Sequence, residues 1–178
     1  MRARGFDLNI AFYDPHLPSG MEIAVGARRC STLNDLMALS DIVSIHAPSS
    51  PETRGLVGSE ALSHAKAGQV IVNTARGNII DLDALTDALS SGRIAAAGLD
   101  VLPAEPADCN HPLIAAWLKR EPWLDGRLTL SPHVAANEVI IVESMATAVF
   151  DSGYYREVII RATDGTEVAV GVLANDID

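Results

Sequence analysis

Five stretches of this chain are apolar on both faces: residues 8–13, 41–46, 69–73, 94–100 and a shorter one at 128–131. Two-sided runs of this kind are buried parallel strands rather than half-exposed antiparallel ones. Asp14-Pro15 and Ala47-Pro48 stop the first two. Between the runs the spacing changes to that of helices. Thr32 is a plausible N-cap for residues 33–39, and Leu82, Leu85 and Leu89 share one face with Gly92 as a stop. A shorter helix fits residues 59–65. Strand and helix in alternation predict an α/β fold with a doubly wound parallel sheet.

Two segments break that rhythm. Residues 107–126 hold Trp117, Trp123 and two prolines, which predicts a long loop with a short amphipathic helix at 112–119. From Tyr154 onward, Val158 and Ile160 alternate, then Val168 and Val170, about Asp164-Gly165. That pattern predicts a β-hairpin with Asp-Gly at its turn. The expected organisation is an α/β unit over residues 1–150 and a divergent tail over 151–178.

Composition narrows the field without naming a function. The 178 residues suit one domain with a tail, and 48% apolar content supplies a core. A formal charge of −10, from 13 basic and 23 acidic residues, argues against nucleic acid as a partner. No apolar run is long enough to span a bilayer, and residues 1–7 lack the apolar core of a signal peptide. Cys30 and Cys109 are too few for a disulfide framework or metal cluster. A reducing cytoplasm is the expected compartment.

The candidate chemistry sits just past the strands, where open α/β sheets place it. Asp14 follows the first run. An acid there can bind the ribose hydroxyls of an adenosine and repel a 2′-phosphate, or simply hold a turn. Arg28 and Arg29 stand well past that strand in sequence and are not obvious phosphate ligands. Arg76 follows the third run and offers a planar fork to a carboxylate, or a surface salt bridge. Gly77 behind it permits a close backbone approach or a tight turn. His133 follows the fifth run and can move a proton near neutrality, or be structural. Glu105, if close, would orient the His133 ring and pair with its protonated form. Asp100 could accept from a nicotinamide carboxamide or cap a turn. Asp108, Cys109 and His111 share one loop but lack a fourth ligand for zinc, and no metal site is expected.

Taken together, Tyr13-Asp14-Pro15, His46-Ala47-Pro48, Pro51-Glu52-Thr53-Arg54-Gly55-Leu56, Asn73-Thr74-Ala75-Arg76-Gly77, Gly98-Leu99-Asp100-Val101, Ala104-Glu105-Pro106 and Ser131-Pro132-His133 resemble the nucleotide-binding domain of the D-isomer-specific 2-hydroxyacid dehydrogenases. The match runs from about residue 6 to residue 136. The insert with Glu121-Pro122-Trp123-Leu124 is most similar to the branch related to C-terminal-binding proteins. The resemblance implies Arg76, Glu105 and His133 as catalytic residues. It implies NAD contacts at Asp14, Ala47, Pro48, Thr53, Thr74, Ala75, Arg76, Asp100, His133, Val134 and Ala136. It implies hydride exchange between NAD(H) and a small 2-oxo or 2-hydroxy acid, in a homodimer or higher homo-oligomer.

One expected part is missing from the sequence. No Gly-x-Gly-x-x-Gly occurs, although that fold places one after its first strand. The expectation is therefore an incomplete Rossmann-like sheet, lacking its first strand and glycine loop, N-terminally truncated and of little activity alone. Its two strands on either side of the gap would lose their shared neighbour and expose apolar edges. The alternative is a non-catalytic remnant that serves as an oligomerisation or binding module.

Overall fold

The computed structural model describes residues 7–131 and 133 with their side chains, and the backbone of strands within 140–143, 146–153, 155–162 and 169–174. Five of the strands fall where the two-sided apolar runs predict: β1 (Asn9–Tyr13), β3 (Ile42–His46), β4 (Gln69–Asn73), β5 (Ile94–Leu99) and β6 (Leu128–Leu130). The periodicity leaves β2 (Arg28–Arg29) and helix α1 (Met21–Val25) unmarked, both being too short to carry a pattern.

The helices owe their starts to local hydrogen bonds. In α2 (Leu33–Leu39), Thr32 Oγ1 accepts from the Asp35 amide and Asp35 accepts in return from the Thr32 amide, a reciprocal cap. Helix α3 (Ser59–Ser63) turns Ala61 and Leu62 inward. At α4 (Leu82–Ser90), Asp81 accepts from the amides of Asp83 and Ala84, while Leu85 and Leu89 are fully buried. Gly92, at φ +76°, allows the chain to leave that helix. Helix α5 (Pro112–Leu118) opens with proline in its first turn and His111 as its cap, its Nδ1 accepting from the Leu113 amide at 3.2 Å. The same ring's Nε2 lies 3.2 Å from an Asp83 carboxylate oxygen. His111 is thus a cap.

With β10 (Ala169–Ala174) included, the main sheet has the order β2-β1-β10-β3-β4-β5-β6, every neighbouring pair parallel. Its buried layer includes Val43, Ile45, Ile71, Ala97 and the inner faces of α2 and α4. Two polar side chains tie the layers. Gln69 Nε2 donates to the carbonyls of Met37 and Ser40, holding the end of α2 onto β4. Arg127 donates to the carbonyls of Ala95, Trp123, Leu89 and Ile94. A second sheet holds β7 (Ile140–Glu143), β8 (Ala146–Gly153) and β9 (Tyr155–Ala162), paired antiparallel.

The tail departs from expectation. Strand β10 (Ala169–Ala174) does not pair with β9; β9 lies against β8, and β10 lies in the main sheet. The expected hairpin about Asp164-Gly165 is therefore corrected. Alternation identifies both runs as strands but carries no information about their partners. The expected gap is corrected too: β10 lies between β1 and β3, parallel to both.

Candidate active site

All strands of the main sheet being parallel, the residues that follow β1, β4, β5 and β6 emerge on one edge. That edge carries Asp14, Arg76, Asp100, Ser131 and His133. The expectation that these four groups share an edge is met.

The end of β4 is the most tightly specified piece. Asn73 is fully buried. Its side chain donates to the Arg76 carbonyl at 2.9 Å and accepts from the Ala75 amide at 3.0 Å. Its own carbonyl accepts from the Asp100 amide at 2.9 Å. One buried amide side chain thus fixes the turn Thr74-Ala75-Arg76, and its backbone joins that turn to the end of β5. Thr74 and Ala75 are buried, whereas Arg76 is exposed, with Nη1 donating to the Ala75 carbonyl. Gly77 follows because nothing larger fits. A Cβ there would lie 2.0 Å from the Leu102 carbonyl carbon and 2.4 Å from the Pro103 nitrogen.

The backbone beyond β5 and β6 is cross-linked next. The buried Asp100 carboxylate accepts from Ser131 Oγ at 2.5 Å, and the Asp100 carbonyl accepts from the His133 amide at 2.9 Å. His133 sits at φ +58°, a left-handed conformation. Its Nδ1 is 3.0 Å from Glu105 Oε2. Glu105 Oε1 also accepts a long bond, 3.4 Å, from the Leu102 amide. The His133 hydrogen bond, against a slight opposing effect of burial and with help from the Leu102 amide, holds the Glu105 carboxyl below the ordinary carboxylate range.

Two hollows flank this pair. The smaller, about 280 Å³, is lined by Ser49, Arg76, Gly77, Asn78, Glu105 and His133 among others. The larger, about 460 Å³, meets Asp100, Glu105, Ser131 and His133 but is mainly apolar, with Ile114, Trp117 and Leu118 opposite. Leu102, Glu105 and His133 belong to both.

On the β1 side, Asp14 is buried. Its Oδ1 accepts from the amides of His16, at 2.8 Å, and Leu17, at 3.3 Å. This is the turn-holding arrangement. Arg29 is closer to it than its place in the sequence suggests, because β2 lies beside β1 with Arg29 opposite Phe12. The guanidinium donates to the carbonyls of Asp14, Leu17 and Pro18. After β3, Ala47 is buried and Thr53 Oγ1 donates to the Pro48 carbonyl at 2.6 Å, closing the 48–53 loop. Val134 and Ala136 lie outside the described residues. No group of three or more metal-binding side chains occurs among the described residues.

Sequence reasoning missed the roles of Asn73, Ser131 and Arg29. Asn73 and Ser131 stand inside quoted motifs, yet only their contacts reveal what they do.

The profile of the D-isomer-specific 2-hydroxyacid dehydrogenase NAD-binding domain matches residues 1–135, about three quarters of the chain. The chain belongs to that family. D-3-phosphoglycerate dehydrogenase of Mycobacterium tuberculosis (strain ATCC 25618 / H37Rv) is 35% identical over 151 residues, which is 85% of this chain and 26% of the relative. The chain spans about a quarter of the length of such relatives. Among solved structures, a glyoxylate reductase from Paecilomyes thermophila superposes with a TM-score of 0.63 at 37% identity, covering 77% of this chain and 38% of that one. The holo form of Rhodotorula graminis D-mandelate dehydrogenase gives a TM-score of 0.60 at 34% identity, covering 71% and 34%. Residues 127–177 match a second profile, the LapD/MoxY periplasmic domain.

The described residues fit the dinucleotide unevenly. At the β4–β6 ends, the exposed Arg76 guanidinium and the Glu105–His133 pair offer polar groups to a ligand. At the β1–β10–β3 end no glycine turn is present among the described residues to receive a pyrophosphate. Among them, too, no helix is long and apolar enough to cross a membrane.

Proposed function

We propose that this chain is the NAD-binding part of an NAD-dependent oxidoreductase that exchanges a hydride with C2 of a small 2-oxo or 2-hydroxy acid. The observation that carries the reading is the hollow in which Arg76 and the Glu105–His133 pair stand together. Arg76 has one guanidinium nitrogen on the Ala75 carbonyl; its remaining N–H groups would bind the substrate carboxylate. His133, with Nδ1 held by Glu105, would give a proton from Nε2 to the substrate oxygen in reduction and take it back in oxidation. When bound, NAD supplies the hydride acceptor. Asp14, Ala47, Pro48, Thr53, Thr74, Ala75, Asp100, Val134 and Ala136 would contact it, with Asp14 favouring NAD over NADP.

The active protein would be a homo-oligomer in the cytoplasm, with a substrate domain closing over the hollow. Residues 1–178 alone should turn over negligibly, because positioning accounts for much of such catalysis. The test uses oxamate, a 2-oxo acid mimic, titrated into the chain while the ring signals of His133 are followed by NMR. A saturable shift that Arg76→Leu abolishes is the expected result. No shift, or one indifferent to Arg76→Leu, would overturn the proposed site. Robust NADH oxidation with glyoxylate or hydroxypyruvate by a monomer would overturn the claim of dependence on further domains.

A further inference from the structure

The strand in the middle of the nucleotide-binding half comes from the far end of the chain. We propose that the slot between β1 and β3 is a strand-acceptor site, that Ala169–Ala174 of the same chain fills it, and that this occupancy leaves a dinucleotide's pyrophosphate without a cradle. The proposal rests on the reading of this edge as a nucleotide site, and goes beyond it.

Four observations support it. The register is continuous on both sides: Asn9 to Tyr13 stand opposite Ala169 to Leu173, and Ile42 to His46 opposite Val170 to Ala174. The segment reads Ala-Val-Gly-Val-Leu-Ala, without a charge or a proline, which suits a strand with neighbours on both sides. The strands it joins carry buried side chains, with Ala11 and Phe12 on β1 and Ile42, Val43 and Ile45 on β3; an open slot would leave backbone groups beside them unpaired. Lastly, β10 lies outside the stretch that matches the dehydrogenase family and inside the stretch that matches the second profile. The filler therefore comes from sequence of a different character.

The consequence follows from strand direction. β10 runs parallel to β1 and β3, so it ends beside Tyr13 and His46. In a dinucleotide fold the strand at this position leads into the glycine turn whose amides and helix N-terminus hold the pyrophosphate. Here the residues after Ala174 are Asn175-Asp176-Ile177-Asp178, with two carboxylates and no glycine. Those four residues supply no glycine turn to a dinucleotide's phosphates.

Paired cysteines test the slot. Neighbouring Cα atoms across a sheet are about 4.8 Å apart, within the span a disulfide bridges. In a Cys30→Ala, Cys109→Ser background, Asn9→Cys with Ala169→Cys should cross-link within one monomer on mild oxidation. Ile160→Cys with Ala169→Cys, the pair that a hairpin about Asp164-Gly165 would juxtapose, should not. Cross-linking of the second pair, a bond between two copies, or no bond in the first pair would each overturn the cis placement. Hydrogen exchange on the unsubstituted chain gives a second reading that no substitution can disturb. Residues 9–13, 42–46 and 169–174 should be protected together, and fast exchange of 169–174 alone would overturn the slot.

The cross-linked monomer then tests the pyrophosphate claim by calorimetry. NAD should bind within about threefold of adenosine. NAD binding tenfold or more tighter would overturn the claim while leaving the strand in place. Failure of the oxamate titration, in contrast, concerns only the catalytic reading.

Discussion

The two ends of the sheet's functional edge are built differently. Beyond β4, β5 and β6, each candidate group sits in a turn cross-linked to its neighbour. Asn73 spans the Ala75–Arg76 turn, its carbonyl receives the Asp100 amide, and Asp100 receives Ser131 and the His133 amide. Beyond β1 and β3 the loops close on themselves. Asp14 holds its own turn, Arg29 binds three carbonyls of residues 14–18, and Thr53 binds Pro48. The strand between them is borrowed from the tail. The comparison teaches that the end holding the proposed acid–base pair is cross-linked from turn to turn, while the loops at the other end close on themselves.

The largest expected effect breaks the reactive end. Joined to the proposed substrate domain, His133→Ala should lower kcat by about 10²- to 10⁴-fold, the usual worth of a positioned acid–base group. Glu105→Gln should shift the pH–rate profile; an unchanged profile would remove Glu105 from the mechanism.

Next comes the backbone contact that keeps the two strand ends in register. Gly77→Ala would drive a methyl group into the Leu102–Pro103 peptide. We expect a loss of about 3 kcal/mol in urea unfolding, as for severe overpacking. A loss under about 0.5 kcal/mol would show that residues 102–103 yield freely.

On the β1 side a smaller effect is expected. Arg29→Ala removes three donors from carbonyls of the 14–18 loop and should lower stability by about 1–2 kcal/mol. It should also raise amide exchange in that loop while leaving the Asn73 side-chain signals unmoved. Movement at Asn73 would show that the two ends are coupled.

The smallest effect is a titration. Glu105 is held below the ordinary carboxylate range mainly by the hydrogen bond from His133. A depressed folded-state pKa means the contribution is complete above the ordinary carboxylate value and fades as pH falls through the lower, folded value. His133→Ala should therefore move the Glu105 carboxyl titration upward, as read by carbon-13 NMR. An unmoved titration would mean the 3.0 Å contact does not bias the carboxyl in solution.

Much of this was legible in the sequence, for identifiable reasons. Runs such as Val70-Ile71-Val72 mark buried strands by composition alone, and the cap at Thr32 marks a helix start. The grouping of Asp14, Arg76, Asp100 and His133 follows from parallel strands, so alternation was enough to put them on one edge. What could not be read were pairings between distant segments. Nothing in Ala169–Ala174 names β1 and β3 as partners, since a short apolar strand fits many neighbours. Nothing in Arg29 announces that β2 will turn it back over residues 14–18. The buried Asn73 amide could be quoted within a motif, but its bonds depend on the turn it builds.

Arg127 bears on the order of assembly. Its guanidinium needs the carbonyls of Leu89, Ile94, Ala95 and Trp123, which come from the end of α4, the start of β5 and the loop before β6. All four bonds form only when the helix end and the strand start lie side by side. β6 would then dock late, and Ser131 and His133 with it. Arg127→Ala should accordingly speed unfolding far more than it slows folding. The acid–base pair would be the last part of the edge to exist when the chain folds, and the first to vanish when it opens.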